Sequence, residues 1–462
     1  MSGRSLPLYD EELSSEALPL DGRRRAIQPA DVHGRFHSAR RVVYAGLIAL
    51  WIALPWIPVA GHPAVFIDID RRTLYLFGAT FNAQDTWLLF FLMTGVGFGL
   101  LYTTTVLGRA WCGWACPQTV FLEGVYRRVE RWIEGPRATR LKRNEGPLTL
   151  DKLLRKGASQ VAYVVLSFLI AHVFLAYFAS LPKTFEMVRH SPAAHPEAFA
   201  WAAAVTLGLY LNFGWFREQF CVVLCPYGRL QSVLTDRQSL VVGYDARRGE
   251  PRGKKGTEGA GDCVDCKRCI AVCPTGIDIR RGGQMECVAC TACIDACDDV
   301  MDRVGKPRGL IRYDSQDGLE GKPWKVVRPR VIFYGILMVV GAVVAFVSTR
   351  GRTDFEANLL RLPGEPYTVT DGVVRDALQL HLVNKLAAAE TYRIDVEPVD
   401  GMQVVLPMPD IPLASLADMR VPIFLSMPRA KFHGDFKVHV TIRRDGVTDE
   451  KIDVVGTFLG PS

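Results

Sequence analysis

The stretch that decides the fold reads CVDCKRCIAVCP at residues 263–274 and returns as CVACTACIDACD at residues 287–298. Each copy spaces its first three cysteines two residues apart and adds a fourth after three more residues. Three thiolates on one tight loop can bind three corners of an iron–sulfur cubane, and the fourth then reaches a second cubane. The repeat therefore predicts a soluble domain that carries two 4Fe–4S clusters.

This is the bacterial ferredoxin pattern, and it predicts an α+β domain of that type. The expected ligands of cluster one are Cys263, Cys266, Cys269 and Cys297. The expected ligands of cluster two are Cys287, Cys290, Cys293 and Cys273. Pro274 follows the first run, whereas Asp298 follows the second, which leaves the ligands unchanged. A pair of zinc sites is the alternative, but zinc ligands normally come as two pairs far apart in sequence.

Composition indicates a membrane domain beside the soluble one. Of the 462 residues, 49% are hydrophobic, while the charged fraction of 22% is that of an ordinary soluble protein. Five apolar runs each approach the roughly 20 residues that a spanning helix needs. They cover residues 42–60, 87–107, 159–180, 198–216 and 331–348.

The distribution of basic residues predicts the orientation of these spans. Residues 108–158 hold 11 Lys or Arg and residues 217–330 hold 20, whereas loops 61–86 and 181–197 hold two each. By the positive-inside rule the N-terminus and the cluster domain are cytoplasmic, and an odd number of spans places the C-terminus outside. The net charge of +7 is then explained by cytoplasmic membrane loops, and no nucleic-acid partner is expected.

The chain therefore divides into five predicted parts. Beyond the fifth span, short alternating runs separated by turns, such as 373–384 and 435–444, predict an all-β sandwich of immunoglobulin type. The parts are a cytoplasmic, largely disordered tail (1–41), a four-span membrane domain (42–235), a cytosolic ferredoxin domain (236–330), the fifth span (331–348) and an outer sandwich (349–462).

Residues 120–132 have apolar residues at helical spacing among arginines, which indicates an interfacial amphipathic helix or a solvated connector.

Two Cys-x3-Cys-Pro motifs follow the second and fourth predicted spans, at Cys112–Pro117 and Cys221–Pro226. Residues i and i+4 share one face of a helix, so each pair is expected to present two thiols together, with a break at the proline. Two such pairs on neighbouring helices would form one four-thiolate site, and soft sulfur ligands suit Cu(I) or iron–sulfur chemistry. The alternative is four buried structural cysteines. Haem is not expected, because His172 is the only histidine within a predicted span.

Taken in order, these motifs resemble the cytochrome c oxidase accessory proteins, the CcoG, FixG and RdxA group, over nearly the whole chain. The resemblance implies a bacterial inner-membrane protein with a periplasmic immunoglobulin-like domain. It also implies a role in the assembly of cbb(3)-type cytochrome oxidase, with reduction of Cu(II) to Cu(I) for copper delivery. The copper-linked residues would be Cys112, Cys116, Cys221 and Cys225.

Three hypotheses of function follow. The first is a one-electron metalloreductase, a cupric reductase, whose partners are oxidase subunits or copper chaperones and transporters. An unidentified protein would donate the electrons, because the chain has no Gly-rich dinucleotide motif. The second is a quinol-linked electron-transfer subunit whose membrane cysteines hold another cluster. The third is a non-catalytic assembly scaffold.

Overall fold

The computed structural model describes residues 27–461 except 60, 70–71, 82–84, 351–352, 363, 387 and 448–449. The chain forms two compact units. The first comprises residues up to 69 together with 89–345, and the second comprises residues 70–88 together with 346 onward.

Long apolar helices dominate the first unit. Within the described residues, four helical stretches are long and apolar enough to cross a membrane: Trp87–Leu107, Leu150–Ala179, Pro196–Phe216 and Pro329–Arg350. They belong to helices α2 (Thr86–Leu107), α7 (Leu150–Ala179), α9 (Pro196–Leu209, continued by a π-helix Tyr210–Phe216) and α15 (Pro329–Arg350). The chain therefore has the composition of a membrane protein, and four of the five predicted spans are present as long helices.

The first predicted span, residues 42–60, is not among these four helices. Helix α1 runs from Arg35 to Ala53, so it begins earlier and ends sooner than the apolar run. Its first turns carry Arg35, Arg40 and Arg41, which lower its apolar character. A crossing by α1 therefore stays a prediction.

Short helices connect the long ones. In chain order they are α3 (Ala110–Trp114), α4 (Pro117–Phe121), a π-helix (Leu122–Tyr126), α5 (Arg127–Glu134), α6 (Arg137–Glu145), α8 (Leu181–Arg189), a second π-helix (Phe220–Leu224) and α10 (Pro226–Leu234). Leu122, Tyr126, Tyr163 and Phe213 pack together as a buried cluster beneath them.

The cysteine-rich domain has the predicted α+β character. Strands β6 (Val241–Tyr244) and β7 (Ile311–Asp314) pair antiparallel. Between them lie α11 (Ala246–Gly249), α12 (Arg268–Ala271), a 3-10 turn (Ile279–Arg281) and α13 (Ala292–Val304), and α14 (Gln316–Leu319) follows β7. Apolar side chains including Val242, Ile279 and Ile294 form the core around the cysteines.

The second unit contains the predicted sandwich. Its strands are β8 (Phe355–Arg361), β9 (Thr368–Thr370), β10 (Val373–Asn384), β11 (Glu390–Val396), β12 (Gln403–Val405), β13 (Asp410–Leu413), β14 (Asp418–Pro428), β15 (Phe436–Arg444) and β16 (Lys451–Phe458). One sheet has strand order β12-β14-β10-β8, with β9 paired to β10, and the other has the order β13-β11-β15-β16. Alternate residues of both sheets form one apolar core, as the alternating runs predicted.

Residues 70–88 belong to this second unit although they are distant in sequence. They include the hairpin β4 (Thr73–Leu76) and β5 (Ala79–Phe81), and the short strands β1 (Pro58–Val59), β2 (His62–Pro63) and β3 (Val65–Asp68) precede it. Lys385 Nζ lies 3.3 Å from Asp85 Oδ1 and 3.1 Å from Glu356 Oε2, and both Lys385 and Asp85 are buried.

Two expectations from the sequence are wrong in detail. The part of the predicted tail that the structure describes, 27–41, is ordered on the cluster domain, because Phe36 packs edge-on against Trp114 and Tyr313. Residues 1–26 lie outside the described residues. Residues 120–132 are helical as predicted, in α4, a π-helix and α5 without a break, but Arg127 is buried in ion pairs rather than exposed at a membrane interface.

Candidate electron-transfer site

The two cysteine loops of the cluster domain repeat one backbone conformation. In the first loop Asp265 and Lys267, on either side of Cys266, have φ of 48° and 53°. In the second loop Ala289 and Thr291, on either side of Cys290, have φ of 50° and 63°. Left-handed backbone is uncommon outside glycine and persists where function requires a tight turn. This repeated conformation makes a tight turn around each central cysteine, as expected where three thiolates bind one cubane.

The fourth cysteine of each run lies beside the other loop. The thiol of Cys297 is within electrostatic range of Cys263, Cys266 and Cys269. The thiol of Cys293 is within range of Cys273 as well as its own loop partners. The structure therefore brings together the residues of each predicted set, and the assignment of ligands to each cluster stays a prediction.

A cavity coincides with the second set. Its lining includes the four thiol residues of that set, with Val242, Ile277 and Ile279 as apolar cover. Among the described residues, no three His, Cys, Asp or Glu side chains lie close enough together to hold one metal ion. The cubane assignment rests instead on the ferredoxin spacing of these cysteines, since zinc ligands normally come as two pairs far apart in sequence.

Burial favours the protonated form of several of the cluster thiols when they bind nothing. It raises the pKa of Cys269, Cys290 and Cys297 to about 12. Iron binds the thiolate, so ligation would release these protons. Cys266 differs because it is exposed.

The membrane cysteine motifs share a second backbone repeat. Cys116 precedes the Pro that begins α4, and Cys225 precedes the Pro that begins α10; both have extended backbone. The amide of Cys116 donates to the carbonyl of Trp111, and the amide of Cys225 donates to that of Phe220, five residues back in each case. The break at the proline is as predicted, but each motif reaches it through a π-type bend rather than regular α-helix.

This bend still gathers all four thiols. The charges that influence Cys221 are those of Cys116, Cys112 and Cys225. Burial raises the pKa of Cys221 to about 12 and that of Cys112 to about 11. Gln231 Nε2 donates to Cys112 Sγ at 3.0 Å.

Cys116 has a different environment at the N-terminus of α4. Burial raises the pKa of its thiol, while hydrogen bonds from the backbone N–H groups of Gln118 and Thr119 oppose that shift. Such donors favour the thiolate that a metal would bind. No histidine contributes to this group; His172 lies within α7, where its Nδ1 hydrogen-bonds the carbonyl of Phe168.

The first membrane motif contacts the cluster domain directly. A Cβ atom on Gly113 would lie 2.5 Å from the carbonyl oxygen of Ala289 and 2.7 Å from that of Val288. Trp114 Nε1 donates to Tyr313 Oη at 3.0 Å, and Tyr313 Oη donates to the carbonyl of Ala289 at 3.0 Å. The thiol motif and the second cluster loop are therefore packed backbone to backbone.

Two arginines that the sequence did not single out hold this contact. Arg40 donates from Nη1 to the carbonyl of Cys290 at 2.7 Å and from Nε to that of Gly113 at 3.2 Å. Arg109 donates from Nη1 to the carbonyl of Cys287 at 3.0 Å. The available signal was their position, since Arg40 lies just before an apolar run and Arg109 just before a cysteine motif.

Comparisons with known proteins agree with this organisation. The model of a 4Fe–4S dicluster domain matches residues 216–316, and that of a 4Fe–4S binding domain matches residues 88–136. The model of an IG-like fold at the C-terminal of FixG matches residues 345–461. The second of these matches covers Cys112 and Cys116.

Protein RdxA of Cereibacter sphaeroides is 35% identical over 430 residues, covering 89% of this chain and 91% of the relative. The chain belongs to the FixG and RdxA family. Nitrogen fixation protein FixG of Rhizobium meliloti is 33% identical over 433 residues, covering 84% of this chain and 82% of FixG. Protein RdxB of Cereibacter sphaeroides is 34% identical over 397 residues, covering 82% of this chain and 83% of RdxB. With its iron–sulfur domains and apolar helices, the chain is a membrane iron–sulfur electron-transfer protein.

Proposed function

We propose that this protein is a one-electron metalloreductase that reduces Cu(II) to Cu(I) during assembly of a cbb(3)-type cytochrome oxidase. Electrons enter on the cytoplasmic side and leave at Cys112, Cys116, Cys221 and Cys225. The clusters would supply one-electron transfer, which matches the single electron that each Cu(II) takes up. One electron would pass from a reduced cluster to Cu(II), and each thiol that binds the Cu(I) product would exchange its S–H bond for an S–Cu bond and release its proton to solvent.

The packing of Gly113 against Ala289 carries this proposal. It joins the loop of Cys112 to the loop of Cys290 without an intervening side chain. Arg109 extends the connection to the second motif, because its Nη2 donates to the carbonyl of Gly228 at 3.4 Å, in the helix that follows Cys225. An electron that reaches the second cluster loop would therefore have a short route to the thiols.

The chemistry of the thiols supports copper as substrate. Thiolates are soft ligands that prefer Cu(I) to Cu(II), so a site of this kind favours the reduced product. The thiols do not form a preformed single-ion site in the part of the chain that the structure describes.

Contacts at the two ends of α1 support five crossings. Near its beginning the backbone N–H of His37 donates to Asp295 Oδ2 at 2.6 Å, in the cluster domain. Near its end the carbonyl of Trp51 accepts a hydrogen bond from Tyr177, at the far end of α7. Helix α1 thus accompanies α7, which favours a cytoplasmic N-terminus, a periplasmic sandwich and a bacterial inner-membrane location.

A third 4Fe–4S cluster on the four membrane thiols is the second candidate. The match of a 4Fe–4S binding domain to residues 88–136 favours it. The chain would then be a quinol-linked electron-transfer subunit. A scaffold without chemistry needs no such thiol group and is the least supported of the three hypotheses.

Iron and copper counts on the purified full chain distinguish the candidates. Copper reduction predicts about eight iron atoms per chain and uptake of copper that is lost in a Cys112→Ala, Cys225→Ala variant with unchanged iron. About twelve iron atoms, falling to about eight in the variant, would contradict the copper site and favour the third cluster.

A further inference from the structure

A cavity of about 50 Å³ lies in the first unit between the segment before α1, helices α1 and α5, and the second cluster loop. A cavity needs about 10–15 Å³ to hold one water molecule, so this space suits a larger group, of about the size of phosphate. Its lining is dominated by six arginines: Arg40, Arg41, Arg127, Arg128, Arg131 and Arg140. Cys290, an expected ligand of the second cluster, also lines the cavity, so thiolate charge at that cluster would offset part of this positive charge.

Only part of this charge is neutralised by carboxylates. Arg127 pairs with Glu123 and, at 2.8 Å, with Glu218. Arg131 pairs with Asp31. These ion pairs hold two arginines of the cavity wall, and Glu123 also lies within electrostatic range of Arg40 and Arg128, so the carboxylates offset part of the positive charge.

Three arginines of the cavity have other environments. Arg140 lies 3.5 Å from Glu130, which also pairs with Arg217 at 3.2 Å. Arg40 donates only to neutral acceptors. Arg41 has no carboxylate partner among the described residues. The carboxylates that pair with the arginines of the cavity are therefore fewer than those arginines.

Arg128 is the clearest sign of unbalanced charge. It has no carboxylate partner in the described part of the chain, and burial together with the like charges of Arg41 and Arg131 lowers its pKa. Like charges held this close in a partly buried site cost free energy unless an anion lies between them.

Two buried donors also lack acceptors. The Nε atoms of Arg127 and Arg140 are buried without a hydrogen-bond partner, and both residues are at most 3% exposed. A buried guanidinium donor without an acceptor loses the hydrogen bond that it would make in water. Both residues line the cavity, so the missing acceptor belongs inside it.

We propose that this cavity binds a phosphate-class anion between Arg41 and Arg128, against the walls formed by Arg127 and Arg140. Guanidinium groups match phosphate oxygens with paired hydrogen bonds. The anion is either the headgroup of an acidic phospholipid or free phosphate. The headgroup fits the location, because Val42 and Leu50, further along α1, are 73% and 54% exposed and offer an apolar surface for acyl chains.

The test measures binding and does not depend on copper reduction. The full chain with its iron is purified in detergent and stripped of lipid, and its thermal unfolding is followed with two probes. One probe is inorganic phosphate with chloride of equal ionic strength as reference. The other is phosphatidylcholine vesicles with or without phosphatidylglycerol. Binding at 100 times Kd should raise the unfolding temperature by several degrees.

Protection by phosphate identifies a free anion, and protection only by phosphatidylglycerol identifies a headgroup. An Arg41→Gln, Arg128→Gln variant should lose at least about tenfold in affinity while keeping its iron, since each guanidinium supplies charge-assisted hydrogen bonds. A matched Arg303→Gln, Arg308→Gln variant removes equal charge from exposed helix and loop positions and should bind normally. No protection of the wild type by either probe, or equal losses in both variants, would overturn the proposal.

Discussion

Gly113 and Ala289 approach so closely that a Cβ on Gly113 would lie 2.5 Å from the carbonyl oxygen of Ala289. This contact joins a membrane thiol motif to the second cluster loop, and only glycine fits it. The proposed electron route therefore depends on glycine at position 113, because a Cβ there would force the two backbones apart.

The first prediction is that Gly113→Ala slows electron delivery to copper. Overpacking costs about 1–3 kcal/mol, so the docked arrangement should be less populated and the rate about tenfold lower. The measurement follows the change in iron–sulfur absorbance as Cu(II) reoxidises the reduced clusters. Gly97→Ala is the matched control, because a Cβ there meets nothing within 4 Å. Equal rates in the two variants would show that this contact is not on the route.

The second prediction concerns the cluster domain. Cys263→Ser with Cys287→Ser removes one expected ligand from each cluster, so about eight iron atoms and eight acid-labile sulfides should be largely lost. Iron and sulfide analysis measures this directly. A Ser415→Ala variant, changed in the sandwich, serves as control. Zinc in place of iron in the wild type would refute the cluster assignment.

Much of the fold could be predicted because it follows from local periodicity. The run 373–384 coincides with strand β10, and the run 87–107 with the span in α2. Strand β13 was missed because it is short and contains Pro412. The contacts of Arg40 and Arg109 were also missed, since a lone residue that bonds to a distant carbonyl leaves no periodic signal.

The third prediction uses the thiol pKa values. A raised pKa means that the thiol stays protonated below it, and the thiolate fraction rises about tenfold per pH unit up to the pKa. In metal-free protein, alkylation of Cys221 should therefore keep accelerating from pH 8 to beyond 10, because burial raises its pKa to about 12. Peptide mass spectrometry at each pH gives the rates. A plateau near pH 9, as for an exposed cysteine, would contradict the buried environment.

The fourth prediction concerns topology. Reporter fusions at Gly256 and Gly460 should report opposite sides of the membrane, and a reporter inserted at Gly78 should agree with Gly460. Gly78 lies in the hairpin β4–β5, which belongs to the same compact unit as the sandwich. Agreement of Gly78 with Gly256 would contradict the three crossings that α2, α7 and α9 make between them, and an N-terminal reporter on the same side as Gly78 would remove the crossing by α1.

The central claim is tested most directly by copper reduction in protein whose clusters have been reduced chemically and freed of excess reductant. With Cu(II) and a Cu(I)-specific chelator, the wild type should form Cu(I) in proportion to the electrons that its clusters lose. The Cys112→Ala, Cys225→Ala variant should retain about eight iron atoms and form Cu(I) at least about tenfold more slowly. Cu(I) formation at the wild-type rate in that variant would contradict the account.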